Sequence, residues 1–148
     1  MENPKNLIIV IFGASGDLTS RKLIPAIFSL NIQKLLPAKY AVVGIGRTKL
    51  SNEDFRAKMS NAIVQYSEEK VTDLNLVSEF VKDTYYHSMD SSTADDYTEL
   101  KSLLKEIDNQ YQIGGNYIFY MATPPSLYES ITINLSKSGL CNEEEGFR

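Results

Sequence analysis

The sequence is poor in the residues that form disulfides, metal sites and membrane spans. Its 148 residues include one cysteine, Cys141, which cannot form an internal disulfide, and one histidine, His87, which leaves little for a zinc site. No apolar run approaches the roughly 20 residues that a membrane-spanning helix requires. The amino terminus lacks the basic region and small-residue cleavage site of a secretory signal. A cytoplasmic protein that binds neither a metal nor a membrane is therefore expected.

The charge balance is slightly acidic, with 19 acidic against 15 basic side chains and a formal net charge of −4. This balance argues against a nucleic-acid surface, which requires a basic face. An anionic ligand would have to be held by a few local cations and by backbone N–H groups. The length suits one domain, and no repeat, linker or low-complexity stretch divides residues 1–148.

Short apolar runs alternate with segments of helical periodicity. The runs predict four strands, at Leu7–Phe12, Tyr40–Gly46, Tyr85–Met89 and Tyr117–Ala122. Runs of this length and composition are typical of strands buried on both faces, as in parallel sheets. The segments between them predict helices that begin at Asp17, Ser51, Leu74, Ala94 and Pro124. The alternation indicates an α/β fold, a doubly wound Rossmann-like and mostly parallel sheet in the order 3-2-1-4.

Two details of the first helix and the first turn bear on a binding site. Pro25 lies inside the predicted first helix and should bend it or split off its first turn. The first strand ends at Gly13-Ala14-Ser15-Gly16, where the fold class places its ligand crevice. Glycine there permits a positive φ and close approach, and the helix N-terminus that follows favours an anion. The turn therefore predicts a diphosphate site, with a tight turn that binds nothing as the alternative.

Arg47 follows the second strand, where the adenosine ribose of a bound dinucleotide would lie. Enzymes that prefer the cofactor without a 2′-phosphate commonly place Asp or Glu there, whereas this sequence has no acidic residue until Glu53. A guanidinium can hold a 2′-phosphate with paired hydrogen bonds. Arg47 therefore indicates NADP as the cofactor, and the alternative interpretation is an exposed loop arginine.

Three stretches together resemble the amino-terminal part of glucose-6-phosphate dehydrogenases. They are Gly13–Pro25, Val43–Arg47 and Ile118–Tyr128, so the resemblance spans nearly the whole chain. One departure is Thr19-Ser20, where the family frequently has Ala-Lys, which removes a cation near the phosphates. The resemblance implies an NADP-binding domain of an enzyme that oxidises glucose 6-phosphate at C1 to the lactone and passes a hydride to NADP.

The resemblance also implies roles for individual residues. Lys22 would help to hold the sugar phosphate, and Arg47 would contact the 2′-phosphate. Asp90 and Ser91 would lie near the adenosine end, although from the sequence alone a turn is the simpler interpretation of both. Tyr128 would lie near the cofactor, with packing as its alternative. The diphosphate loop would consist of Gly13, Ala14, Ser15, Gly16, Asp17, Leu18, Thr19 and Ser20.

Members of the family are much longer than this chain and form a second domain. Their next strand carries a Glu-Lys-Pro motif expected just beyond Arg148, and the histidine pair that removes the C1 proton lies in an Arg-Ile-Asp-His-Tyr motif further on. The chain is therefore expected to be a fragment, truncated at its carboxyl end, of a homo-oligomeric enzyme, and to be inactive alone. Two alternatives remain: a small NADP-dependent reductase of the sugar-nucleotide type, which requires a Tyr-x-x-x-Lys pair, and a non-enzymatic NADP-sensing domain.

Overall fold

The computed structural model describes residues 4–148 and builds them around one parallel sheet. The strands are β1 (Leu7–Phe12), β2 (Tyr40–Gly46), β3 (Thr84–Ser88) and β4 (Tyr117–Met121). Each pairs in parallel with its neighbours in the order β3-β2-β1-β4. The predicted fold class and strand order are therefore confirmed. The third strand begins one residue earlier than predicted, because Thr84 pairs with Val42 in β2. Its buried hydroxyl is satisfied locally, since it donates to the Val81 carbonyl at 2.7 Å.

Five α-helices connect or follow the strands in the described part of the chain. They are α1 (Ile24–Ile32), α2 (Asn52–Tyr66), α3 (Leu74–Val81), α4 (Asp96–Tyr111) and α5 (Tyr128–Lys137). The Ser51 side chain accepts the Asp54 N–H at 3.0 Å and caps α2, as its position before the apolar periodicity predicts. The two prolines before α5 precede or begin a separate short 3₁₀ turn, Pro125–Leu127, so α5 starts later than predicted. None of the helices in residues 4–148 combines the length and apolar character needed to span a membrane.

Pro25 is the second residue of α1, and a wide π-helical turn, Thr19–Leu23, comes directly before this helix. The Ile24 N–H donates to the Thr19 carbonyl, five residues earlier. In a regular α-helix the proline ring would collide with the carbonyl four residues before it, that of Arg21. Widening the preceding turn removes that collision. The sequence predicts that Pro25 bends the first helix or splits off its first turn; in the structure the helical conformation continues from Asp17 to Ile32 and widens before Pro25 instead.

The two faces of the sheet carry separate apolar cores. One face packs on α4 and α5 through Phe12, Leu104 and Ile131 among others, and the opposite face packs on α1, α2 and α3 through Ile11, Phe55 and Phe80. Helices on both faces make the sheet doubly wound. The chain leaves β1 towards one helical layer and enters β4 from the other, so the carboxyl ends of these two neighbouring strands open on a crevice.

Candidate functional site

A cleft of about 630 Å³ lies at the carboxyl ends of β1, β2 and β4. Five of the residues that the sequence predicts for a cofactor site line it: Gly13, Ser15, Gly16, Arg47 and Ser91. They come from the first turn, from the loop after β2 and from the loop after β3. This is the switch point of the sheet, where open α/β folds bind their ligands.

Gly13 has a left-handed backbone, with φ of +81°, as the predicted turn requires. A Cβ on this residue would collide with the carbonyl group of Ala122, at the end of β4. That carbonyl has little freedom, because the Ala122 N–H donates to the Phe12 carbonyl at 2.9 Å. Glycine is therefore required here both by conformation and by space.

The first amides of the turn are occupied inside the protein. The N–H groups of Gly13 and Ala14 both donate to the Ile45 carbonyl, at 2.8 and 2.9 Å, and the Gly16 N–H donates to the Gly13 carbonyl at 3.1 Å. The Ser15 N–H has no acceptor among the described residues. A diphosphate can therefore use this group and the N–H groups from Asp17 onward, where the helical segment begins, because regular helices leave their first N–H groups without intrahelical acceptors. The N–H groups of Gly13, Ala14 and Gly16 are therefore removed from the set of predicted diphosphate donors.

Two side chains of the predicted diphosphate loop are fully buried. Ala14 packs against β2, where a Cβ on Gly44 would be 2.7 Å from the Ala14 Cβ. The Thr19 hydroxyl donates to the Gly13 carbonyl at 3.4 Å. Both side chains thus stabilise the turn from inside. Asp17 and Leu18 are exposed, and the Ser20 hydroxyl is buried with no hydrogen-bond partner among the described residues.

Arg47 is exposed on the loop after β2 and lines the cleft. Opposite it, the Asp90 carboxylate accepts the Ser92 N–H at 3.0 Å and the Ser92 hydroxyl at 2.6 Å. These two hydrogen bonds, together with the positive charge of Arg47, lower the pKa of Asp90. Asp90 therefore forms the turn after β3, and the adjacent Ser91 faces the cleft while its carbonyl accepts the Tyr97 hydroxyl at 2.7 Å.

Lys22 and Tyr128 lie outside the residues that line this cleft. Lys22 is exposed on the π-helical turn and lines a second cavity of about 720 Å³, between α1 and the segment after α2. Tyr128 begins α5 with 41% of its surface exposed, and its neighbour Leu127 lines the first cleft instead. The roles given to Lys22 and Tyr128 stay predictions.

The sequence does not predict two side chains that lie outside the cleft and hydrogen-bond to the backbone of its loops. The Lys58 ammonium, on α2, donates to the Ser15 carbonyl at 2.8 Å. The Tyr86 hydroxyl, on β3, donates to the Thr48 carbonyl at 2.6 Å. The signal that could have found Tyr86 is Gly46 in β2, because glycine inside a strand marks close approach of another group. A Cβ on Gly46 would be 2.7 Å from the Tyr86 hydroxyl oxygen.

The sequence contains two Tyr-x-x-x-Lys stretches, Tyr66–Lys70 and Tyr97–Lys101, and neither is placed for reductase chemistry in the cleft. Tyr66 and Lys70 line the second cavity. Tyr97 is 1% exposed, and the Lys101 ammonium donates to the Ser138 carbonyl at 2.9 Å. No group of three or more His, Cys, Asp or Glu side chains suited to a metal ion occurs within residues 4–148.

The family assignment follows from comparison with known proteins. A sequence profile described as "Glucose-6-phosphate dehydrogenase, NAD binding domain" matches residues 10–148. The chain belongs to the glucose-6-phosphate dehydrogenase family. This confirms the resemblance predicted from the motifs, and the cleft lies where a nucleotide-binding domain of this fold binds its nucleotide.

Individual glucose-6-phosphate dehydrogenases match over nearly the whole chain. The glucose-6-phosphate 1-dehydrogenase of Treponema pallidum (strain Nichols) is 40% identical over 141 residues, which cover 95% of this chain and 27% of that protein. The one from Aggregatibacter actinomycetemcomitans is 38% identical over 144 residues, covering 97% of this chain and 28% of that protein.

A solved structure described as "Glucose-6-phosphate dehydrogenase in complex with its substrate glucose-6-phosphate" superposes with a TM-score of 0.82. It is 32% identical, and the match covers 93% of this chain and 28% of that one. The chain therefore spans 27 to 28% of the length of the dehydrogenases it matches. The shared part is the nucleotide-binding domain.

Proposed function

We propose that the cleft binds NADP and that the whole protein is a glucose-6-phosphate dehydrogenase, which oxidises glucose 6-phosphate to 6-phosphogluconolactone. The observation that carries this proposal is that the Gly13–Gly16 turn and Arg47 line the same cleft. The two lie on loops that the sequence separates by about 30 residues, and the parallel pairing of β1 with β2 brings them together.

Different residues of the cleft bind different parts of the cofactor. The helical segment that runs from Asp17 into the π-helical turn offers its N–H groups and the positive end of its dipole to the diphosphate. Arg47 holds the 2′-phosphate with paired hydrogen bonds. Ser91 contacts the adenosine end, and Asp90 fixes the turn that presents Ser91. NADP, when bound, accepts the hydride from C1 of the sugar.

The sugar-phosphate side of the reaction requires groups beyond this cleft. Lys22 is the residue of this chain that we assign to the sugar phosphate, and its exposure on the π-helical turn leaves its ammonium free to reach a substrate. Proton removal from the C1 hydroxyl needs a base. His87 is the one histidine of the sequence and does not line the cleft. We therefore expect the 148-residue chain alone to bind NADP and not to reduce it when glucose 6-phosphate is added.

Calorimetric titration with NADP and NAD tests this function. The unmodified chain should bind NADP more tightly, and Arg47→Ala should lower the affinity for NADP by about 1–3 kcal/mol while leaving NAD binding nearly unchanged. Lys105→Ala is the control, because it removes an exposed cation on α4, outside the cleft. Equal affinities of the unmodified chain for the two cofactors would reject the role of Arg47. Production of reduced cofactor from glucose 6-phosphate would reject the expected inactivity.

A further inference from the structure

Two side chains hydrogen-bond to the backbone of the cleft, one in the diphosphate turn and one in the loop after β2. The Lys58 ammonium binds the Ser15 carbonyl in the diphosphate turn at 2.8 Å. The Tyr86 hydroxyl binds the Thr48 carbonyl, in the loop after β2, at 2.6 Å. Neither Lys58 nor Tyr86 lines the cleft, so each acts on a ligand only through the backbone that it holds.

The Tyr86 hydroxyl donates to the Thr48 carbonyl and also contacts the Ser15 side chain of the diphosphate turn. Tyr86 is 7% exposed, and its ring lies with its centroid 5.0 Å from that of Phe55. Its backbone N–H donates to the Asn52 side-chain oxygen at 2.8 Å, so the residue is held at both ends. Gly46 leaves the space that the hydroxyl occupies, since a Cβ there would be 2.7 Å from the hydroxyl oxygen.

The Tyr86 hydroxyl keeps its proton over the whole neutral range. Burial raises the pKa of Tyr86, and the neighbouring Ser15 side chain opposes this with a smaller effect. A protonated phenol can donate to a carbonyl, and a phenolate cannot. The hydrogen bond to Thr48 is thus present wherever the protein binds a cofactor at neutral pH.

We propose that Tyr86 is a positioning residue that sets the preference for NADP over NAD. It holds the Thr48 carbonyl, one peptide beyond Arg47, and so restrains the loop next to Arg47, which lines the cleft. The Ser88 hydroxyl donates to the Arg47 carbonyl itself at 3.4 Å, a longer contact. A guanidinium held in place loses less conformational entropy when it binds the 2′-phosphate. This inference rests on the proposed role of Arg47 and adds the group that orients it.

Lys58 provides the comparison, because it anchors the part of the cleft that both cofactors share. The diphosphate is common to NAD and NADP, so loosening the Ser15 carbonyl affects the two affinities alike. Loosening the Arg47–Thr48 backbone affects only the cofactor that carries a 2′-phosphate. Loss of the Lys58 anchor should therefore leave the ratio of the two affinities unchanged, and loss of the Tyr86 anchor should lower it, a difference that a role in general stability would not produce.

The test is calorimetric titration of Tyr86→Phe and Lys58→Met with NADP and with NAD. Tyr86→Phe keeps the ring and its packing on Phe55 and removes only the hydroxyl. Its ratio of NADP to NAD affinity should fall about three- to tenfold, the equivalent of one lost hydrogen bond. Ser15→Ala removes the other contact of the Tyr86 hydroxyl and should leave this ratio unchanged. Lys58→Met should weaken both cofactors by the same factor. In an Arg47→Ala background, Tyr86→Phe should produce no further loss of NADP affinity.

The possible failures are distinguishable. If the unmodified chain does not prefer NADP, the proposed role of Arg47 fails and this inference fails with it. If the chain prefers NADP and Tyr86→Phe keeps the ratio, or weakens both cofactors equally, only the positioning role is overturned. Should Tyr86→Phe not fold, NMR of the unmodified chain decides: a slowly exchanging Tyr86 hydroxyl proton without cofactor supports the anchor, and a freely exchanging one overturns it.

Discussion

Gly13→Ala should be among the most damaging single-methyl additions in this protein. The substitution places a side chain on a residue with φ of +81° and directs its Cβ into the carbonyl group of Ala122. Ala122 cannot retreat without loss, because its N–H donates to Phe12 at 2.9 Å and so ends the β1–β4 pairing. The turn, the end of β4 and the floor of the cleft are therefore disturbed together.

The expected loss of unfolding free energy in Gly13→Ala has two parts. A left-handed backbone costs an alanine about 1–2 kcal/mol relative to glycine. Forcing an extra carbon into a packed site typically costs another 1–3 kcal/mol. The free energy of unfolding should therefore fall by about 2–5 kcal/mol, a large part of the 5–15 kcal/mol that small domains possess.

Gly114→Ala separates the two parts. Gly114 has nearly the same φ, +80°, but a Cβ there would have no atom within 4 Å. Urea unfolding of both variants, followed by circular dichroism, should show a loss of about 1–2 kcal/mol for Gly114→Ala and a clearly larger one for Gly13→Ala. Equal losses would refute the steric argument, because the shared backbone strain would then explain the whole effect.

The remaining predictions concern tyrosines. Tyr97→Phe removes the hydrogen bond to the Ser91 carbonyl and should lower stability by about 1 kcal/mol in urea unfolding; an unchanged midpoint would show that this bond contributes nothing net. Stability should also fall as the pH rises above about 10. Burial raises the pKa of five tyrosines above the ordinary value of 10.0, namely Tyr40, Tyr86, Tyr97, Tyr111 and Tyr117. Above that pH the unfolded chain therefore releases protons that the folded chain keeps. Urea unfolding midpoints measured at increasing pH check this prediction, and stability that stays constant or rises would contradict it.

The sequence predicts the architecture well because apolar periodicity reflects burial directly. The β-branched run Leu7–Phe12 and the run Tyr40–Gly46 end where the strands end, because glycines or polar residues follow each run. A strand boundary can differ from the prediction where a polar residue takes part in the backbone pairing. Thr84 pairs with Val42 in β2, and its buried hydroxyl donates to the Val81 carbonyl, a contact that apolar periodicity does not predict.

The candidate site is predicted less completely, because a motif specifies which residues meet and not which atoms remain free. The glycine turn and Arg47 could be found from their places after β1 and β2. The sequence does not predict that the Ile45 carbonyl accepts the N–H groups of both Gly13 and Ala14, because this acceptor lies on another strand. The roles of Lys58 and Tyr86 are not predicted for the same reason: each hydrogen-bonds to the backbone of a cleft loop from an element distant in the sequence.

These distant anchors change how the cofactor preference of such a fold should be explained. An arginine after β2 supplies positive charge for a 2′-phosphate. When that arginine is flexible and exposed, the conformational entropy that it loses on binding offsets much of the favourable electrostatic free energy. In this chain the loop that carries Arg47 is hydrogen-bonded to β3 by the Tyr86 hydroxyl, and Tyr86 does not line the cleft. Replacing the arginine alone therefore tests the charge, whereas replacing Tyr86 tests the geometry. A protein with the arginine and without the anchor should prefer NADP less strongly, although its loop sequence would predict the same cofactor.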